Sequence, residues 1–291
     1  MDNGLRRGLL YGGAVAALAG LYYIGFVHKA DADPMTMLGS ARVQLLLASG
    51  MPVTGKDGLP LKAREQLLLS AANDLAMAAR EEPDSPVLVE FQGFLLSLRG
   101  DLRGAAVAYQ HARSLPGCDA EQHDTLVFNE ARALSDSGDL QNALKVFANN
   151  GASVQKKYSA QLSLEESALL QRLHRNDEAQ ARLDQLMISS DQPMIWLDVG
   201  IQYLALGRID AADTALAKAG ITVPIADYHR ALLKLTGGEV DTCLSLIERA
   251  MKASPTEVMR LLRKDAIAWQ ALAGNARFEQ MYVPVTAAPG R

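Results

Sequence analysis

Residues 196–219 open with Trp196-Leu-Asp-Val-Gly200-Ile-Gln-Tyr203-Leu-Ala-Leu-Gly207 and continue through Ala212, Leu216 and Ala219. Trp196, Val199, Gly200 and Tyr203 are spaced by one, three and four residues, which puts them on one face of a helix. Gly207 ends that helix, and the same period resumes at Ala212, Leu216 and Ala219. The stretch therefore predicts two antiparallel helices joined by a tight turn. Gly200 and Ala212 are small enough for the backbones to approach, and the large residues fill the space between hairpins.

The same arrangement returns along the chain when each turn is taken as the marker. Gly100-Asp101 is followed by Ala105, Tyr109 and Ala112, Gly138-Asp139 by Ala143 and Phe147, His174 by Ala179, Leu183 and Leu186, and Gly238-Glu239 by Cys243, Ile247 and Ala250. The markers at 100, 138, 174, 207 and 238 are separated by 38, 36, 33 and 31 residues. A step of 34 back from Gly100 lands on Gln66, with Ala71, Leu75 and Ala78 placed for an earlier, degenerate unit.

This pattern resembles the tetratricopeptide (TPR) repeat, a helical hairpin of about 34 residues. The resemblance covers residues 36–255, with Gly93 and Gly200 at the eighth position of their units and His174 in place of one turn glycine. It implies an all-α solenoid of about six units. Residues 256–282 are expected to form one capping helix, since the end of a solenoid exposes an apolar face that must be covered. The domain reading is an anchor over 1–30, the solenoid and its cap over 31–282, and a tail over 283–291. A TPR array implies a protein that binds other proteins.

The run Leu9–Val27 holds 19 residues without a charge, flanked by Arg6-Arg7 and by His28-Lys29. That length suits a single membrane-spanning helix. A cleaved secretory signal is the alternative, with Ala30 and Ala32 before a cut at Asp33. The run exceeds the about 7–15 residues of a signal core, which favours a retained anchor. Arg6 and Arg7 against Lys29 and Arg42 favour a cytoplasmic N-terminus, which places the array in a bacterial periplasm. Gly8, Gly12, Ala16 and Gly20 recur every four residues, the spacing that lets another membrane helix pack closely.

Chemistry is sparse. Gly50-Met-Pro-Val-Thr-Gly55-Lys56-Asp57 approaches a phosphate loop, but Asp57 stands where the Mg²⁺-binding hydroxyl belongs, so Gly50–Pro60 reads as the loop inside the first hairpin. His111, Cys118 and His123 match no metal-ligand spacing. No cofactor motif and no grouping of acid, base and nucleophile emerges, so an enzyme is not expected. The net charge of −4 and a pI near 5.8 argue against a nucleic-acid partner. Cys243 sits at a small-residue position and is expected in the core, and Glu81-Glu82 and Glu165-Glu166 read as solvated helix faces.

In TPR arrays the first helix of each hairpin lines the groove that takes a ligand, and the resemblance carries that role to definite positions here. They are Glu90, Phe91 and Phe94, then Phe128, Asn129 and Arg132. Further along come Glu165 and Arg172, then Leu197, Asp198 and Ile201, and finally Tyr228 and His229. The groove is apolar with a few charges. The Lys and Asn set with which chaperone-tail TPR domains clamp a terminal carboxylate is not reproduced, because Glu90 and Glu165 would repel that group. A helical or extended peptide with apolar anchors fits better. The function read from the sequence is a membrane-anchored scaffold that supports a membrane complex, with a permanent structural subunit of a larger membrane enzyme or pigment complex, or a secreted periplasmic TPR protein, as alternatives.

Overall fold

The computed structural model describes residues 33–54 and 58–281. The candidate membrane run Leu9–Val27, with Gly8, Gly12, Ala16 and Gly20, lies outside the described residues, as do Lys56 and the tail over 283–291. Among the described residues no helix is long and apolar enough to cross a membrane. The chain divides at Ser137–Gly138 into two compact units.

The first unit holds α1 (Pro34–Ser49), α2 (Lys62–Glu81), α3 (Pro86–Leu98), α4 (Leu102–Ser114) and α5 (Ala120–Asp136). Prolines at the first turn start α1 and α3, where a missing N–H costs nothing and the fixed φ is already helical. Asp33, Asp101 and Asp119 cap α1, α4 and α5 by accepting from the backbone N–H three residues on. The expected loop Gly50–Pro60 falls between α1 and α2, its described residues outside both helices, and Thr54 and Pro60 form an isolated bridge across it. The 34-residue step misplaces the marker here. Gln66 is exposed inside α2, because this longer loop replaces the tight turn and α2 starts earlier. Ala71, Leu75 and Ala78 nevertheless hold their expected buried places.

The second unit holds α6 (Leu140–Asn150), α7 (Ser159–Arg172), α8 (Asn176–Ser189), α9 (Pro193–Ala205), α10 (Ile209–Ala219), α11 (Pro224–Thr236), α12 (Val240–Ala253), α13 (Pro255–Lys264) and α14 (Ala276–Met281). The turns repeat in detail. Gly100, Gly207 and Gly238 have φ of 85°, 70° and 79°, and His174 takes the same left-handed conformation at 58°. At each, the next N–H reaches back to a carbonyl five residues earlier: Asp101 to Leu96, Arg175 to Leu170, Arg208 to Tyr203 and Glu239 to Lys234. That bond satisfies a carbonyl the helix end would leave open.

Packing inside the hairpins follows the small-against-large rule. A Cβ on Gly93 would lie 2.7 Å from the Tyr109 ring, and one on Gly200 would lie 2.6 Å from Leu216. Ala131, Ser167 and Ala231 occupy the equivalent eighth position and are buried. Ala105, Ala143, Ala179, Ala212 and Cys243, five residues beyond each turn, are fully buried.

Two further expectations need correction. Residues 256–282 are not one helix. α13 stops at Asp265, a 3-10 turn over Ala268–Leu272 follows, and Gly274 (φ 79°) makes a further turn 36 residues after Gly238 before α14 begins. Asn275 caps α14 through the N–H groups of Arg277 and Phe278. The solenoid period thus continues into a shortened seventh unit, which buries Trp269, Leu272 and Phe278 against Tyr228 and Ile247. Glu166 is also not on a solvated face. It is buried on the side of α7 facing α8, where Arg182 lies 3.5 Å away. Glu81, Glu82 and Glu165 keep some or most of their exposure.

Candidate binding surface on the first helices of the hairpins

Three of the first helices, α7, α9 and α11, bury the residue at their fifth position. Leu164 and Leu197 are nearly inaccessible and Tyr228 is fully so. Leu197 packs on Leu216, Ala219 and Ala226, while Tyr228 lies under Trp269 and donates its hydroxyl to Asp265 Oδ2 at 2.8 Å. Leu197 and Tyr228 are therefore core residues, not groove walls. Each points between its own helix and the next hairpin, where a large side chain fills the gap. Burial and the Asp265 carboxylate push the Tyr228 phenol well above its ordinary range, so it stays a neutral donor.

The sixth and ninth positions stay accessible. On the second unit these are Glu165 and Ala168, Asp198 and Ile201, and His229 and Leu232, half-buried or exposed in every case. Arg172 is exposed at the end of α7. Partial burial first and the charge of Glu165 second raise the Asp198 carboxyl, so these two acids on successive first helices feel each other. Burial likewise lowers the His229 imidazole, with Asp265 opposing that shift and Lys264 reinforcing it. The Gln171 side-chain amide donates to Gln202 at 2.9 Å, and Gln202 donates to the Leu164 carbonyl at 3.1 Å. This amide ladder ties α7 to α9 beside the accessible residues. Sequence reasoning missed it, although the 31-residue separation of the two glutamines is close to one repeat.

On the first unit, Phe91 and Phe94 are half-buried against the cluster built from α1, α2 and α3. Phe128 and Asn129 are half-buried on α5, and Arg132 is exposed. Glu90 accepts a 2.8 Å hydrogen bond from Gln122, so it too bridges successive first helices. Its carboxyl is raised chiefly by burial, against the pull of Gln122 and of the Arg42 charge. Beneath, Glu130 is buried and accepts from Arg113 at 2.8 Å. Cys243 is buried as expected, Cys118 is half-buried, and both are free thiols. Among the described residues no cluster of three or more His, Cys, Asp or Glu is placed to hold a metal ion.

No family model and no curated protein matches this chain. Solved structures similar to it include YrrB, described as a TPR protein with an unusual peptide-binding site, at 16% identity over 65% of this chain and 97% of that one, with a TM-score of 0.42. TTC0263, a thermophilic TPR protein of Thermus thermophilus, is 20% identical over 65% of this chain and 92% of its own, with a TM-score of 0.43. PilW, a type IV pilus biogenesis factor, is 14% identical over 80% of this chain and 96% of its own, at 0.47. These scores are low, and it is the left-handed turns, the small-against-large contacts and the repeated hairpins of the described residues that make this chain a TPR-type helical repeat array.

Proposed function

We propose that the chain is a membrane-anchored scaffold that binds a protein segment along the sixth and ninth positions of its first helices and so supports a membrane complex in the cell envelope. The observation that carries the binding part is the division of labour on those helices. The fifth position is spent on the core in α7, α9 and α11, while Asp198, Ile201, His229 and Leu232 remain accessible beside it. A mixed apolar and acidic strip suits a helix or extended peptide with apolar anchors and a basic residue. Anchoring through Leu9–Val27 would raise the local concentration of partner segments at the membrane and strengthen weak contacts without enlarging them. Charge bias at the ends of the run supports a periplasmic array.

Cross-linking and co-purification of the intact chain from detergent-solubilised membranes test this reading. Asp198→Lys and Ile201→Glu should each reduce the yield of a co-purifying partner. Ile188→Glu, on the exposed outer face of α8, should leave it unchanged. Equal loss in all three variants, or in none, would contradict the assignment.

A further inference from the structure

α1 is apolar on two opposite faces. One face buries Met37, Leu38, Ala41, Leu45 and Ala48 against α2 and α3. The other carries Met35, Gly39, Val43, Leu46 and Leu47 at helical spacing, with the hydroxyl of Thr36 among them and the exposed Arg42 along one edge. Met35, Val43, Leu46 and Leu47 are 70%, 48%, 54% and 42% exposed, and Val53 in the adjoining loop is 63% exposed. Of the fifteen large apolar side chains left exposed among the described residues, seven fall between Met35 and Leu69, whereas the rest are scattered singly. A patch of this kind marks a surface that meets something other than water.

Three facts identify what it meets. Six residues separate the charge-free run Leu9–Val27 from Pro34, a link of seven steps that spans at most about 25 Å, so α1 starts within reach of wherever that run is embedded. The run is apolar all round. Laid on α1 as a covering helix, it would bury one side and expose the other, whereas lipid covers both the run and the stripe. A second copy is the weaker occupant. One face of a 16-residue helix, about 24 Å by 10 Å, offers roughly 240 Å² per partner, well below the about 800 Å² of a stable interface.

We infer that the stripe Met35, Val43, Leu46 and Leu47 lies on the lipid surface and seats the first hairpin against the membrane. This rests on the anchored reading above and adds a second, interfacial contact to it. The contact fixes which face of α1 meets the bilayer, and α3, which carries Phe91 and Phe94 and packs on the buried face of α1, then lies on the side away from lipid.

Site-directed fluorescence on the intact chain decides it. Cys118→Ser removes the half-buried thiol. Cys243, fully buried and with its thiol pushed up to about 11, stays unlabelled. A nitrobenzoxadiazole label is then placed singly at Leu46→Cys, Leu47→Cys, Val107→Cys or Ala17→Cys, and each protein is reconstituted in phosphatidylcholine and phosphatidylglycerol vesicles with or without brominated chains. Labels at 46 and 47 should be blue-shifted and lose roughly half their emission to brominated lipid, while the label at 107 should not respond. Labels at 46 and 47 that are unquenched overturn the inference, whether they are bright under a second copy or a folded-back segment, or dim in water. The label at 17 separates the failures. If it is quenched while 46 and 47 are not, the anchor stands and the seated hairpin falls, and if none is quenched, both fall.

Discussion

At the scale of single residues, the position that tells most is the one that breaks the glycine rule. His174 holds φ at 58°, a conformation that costs a side-chain-bearing residue roughly 1–2 kcal/mol relative to glycine. Its backbone bond from Arg175 to Leu170 is the one formed at the glycine turns, so nothing in the turn depends on imidazole. His174→Gly should therefore stabilise the protein by about 1 kcal/mol, less what glycine returns in unfolded-state entropy, as read from the denaturation midpoint. Gly200→Ala should act in the opposite sense. Its Cβ would sit 2.6 Å from Leu216 and force the α9–α10 pair apart, at about 1–3 kcal/mol. Glu166 supplies a pH signature. Burial raises its carboxyl above 4.5 despite Arg182, so folding favours the protonated form. The stability this group contributes is present below the unfolded carboxylate range and is lost as pH rises through the folded value. Melting temperatures of the native protein and Glu166→Gln, followed from about pH 7 towards about 4.5, should show the native protein gaining on the variant as the solution is acidified.

At the scale of elements, the hairpins were legible because a tight turn leaves a glycine and its neighbours leave small residues at a fixed offset. Gly93, Gly200, Ala105 and Ala212 all serve as that pattern requires. The misreadings share a cause, which is that period reports a face but not what the face meets. Leu197 and Tyr228 sit one residue from the accessible Asp198 and His229, a rotation of about 100° on a helix, and only the next hairpin decides which is covered. Gln66 failed as a turn marker because the helix already begins at Lys62, while Ala71, Leu75 and Ala78 keep the phase of the repeat. The closing segment failed because its break at Asp265 is made by tertiary contacts. Trp269 donates to the Tyr228 hydroxyl at 3.2 Å, Tyr228 donates on to Asp265, and the Trp269 ring stacks on Phe278 at 5.9 Å. No proline or glycine announces that break. Trp269→Ala should consequently cost about 3–5 kcal/mol and strip amide-exchange protection from α11 to α14 before it affects α1 to α4.

At the scale of the whole molecule, the array accounts for the described residues 33–54 and 58–281 in helices, turns and loops, and the remaining question of position in the cell falls on Leu9–Val27. As a helix, 19 residues rise about 28 Å, close to the roughly 30 Å of a bilayer's hydrocarbon core. Arg6 and Arg7 before the run and Lys29 after it would sit at the two headgroup layers, and Tyr11, Tyr22 and Tyr23 lie toward its ends, where amphipathic rings are favoured. A signal core of ordinary length would end well short of Val27. The expected outcome is a chain purified from membranes whose intact mass includes residues 1–32 and which stays with the membrane in alkaline carbonate. A mature N-terminus at Asp33 would instead mark the run as a removed leader. Asp33 would then become the first residue while still capping α1 through Thr36, so the fold would survive and only the address would change. The two outcomes differ by 32 residues of mass, far outside the error of an intact-mass measurement, and the same spectrum requires no knowledge of the partner.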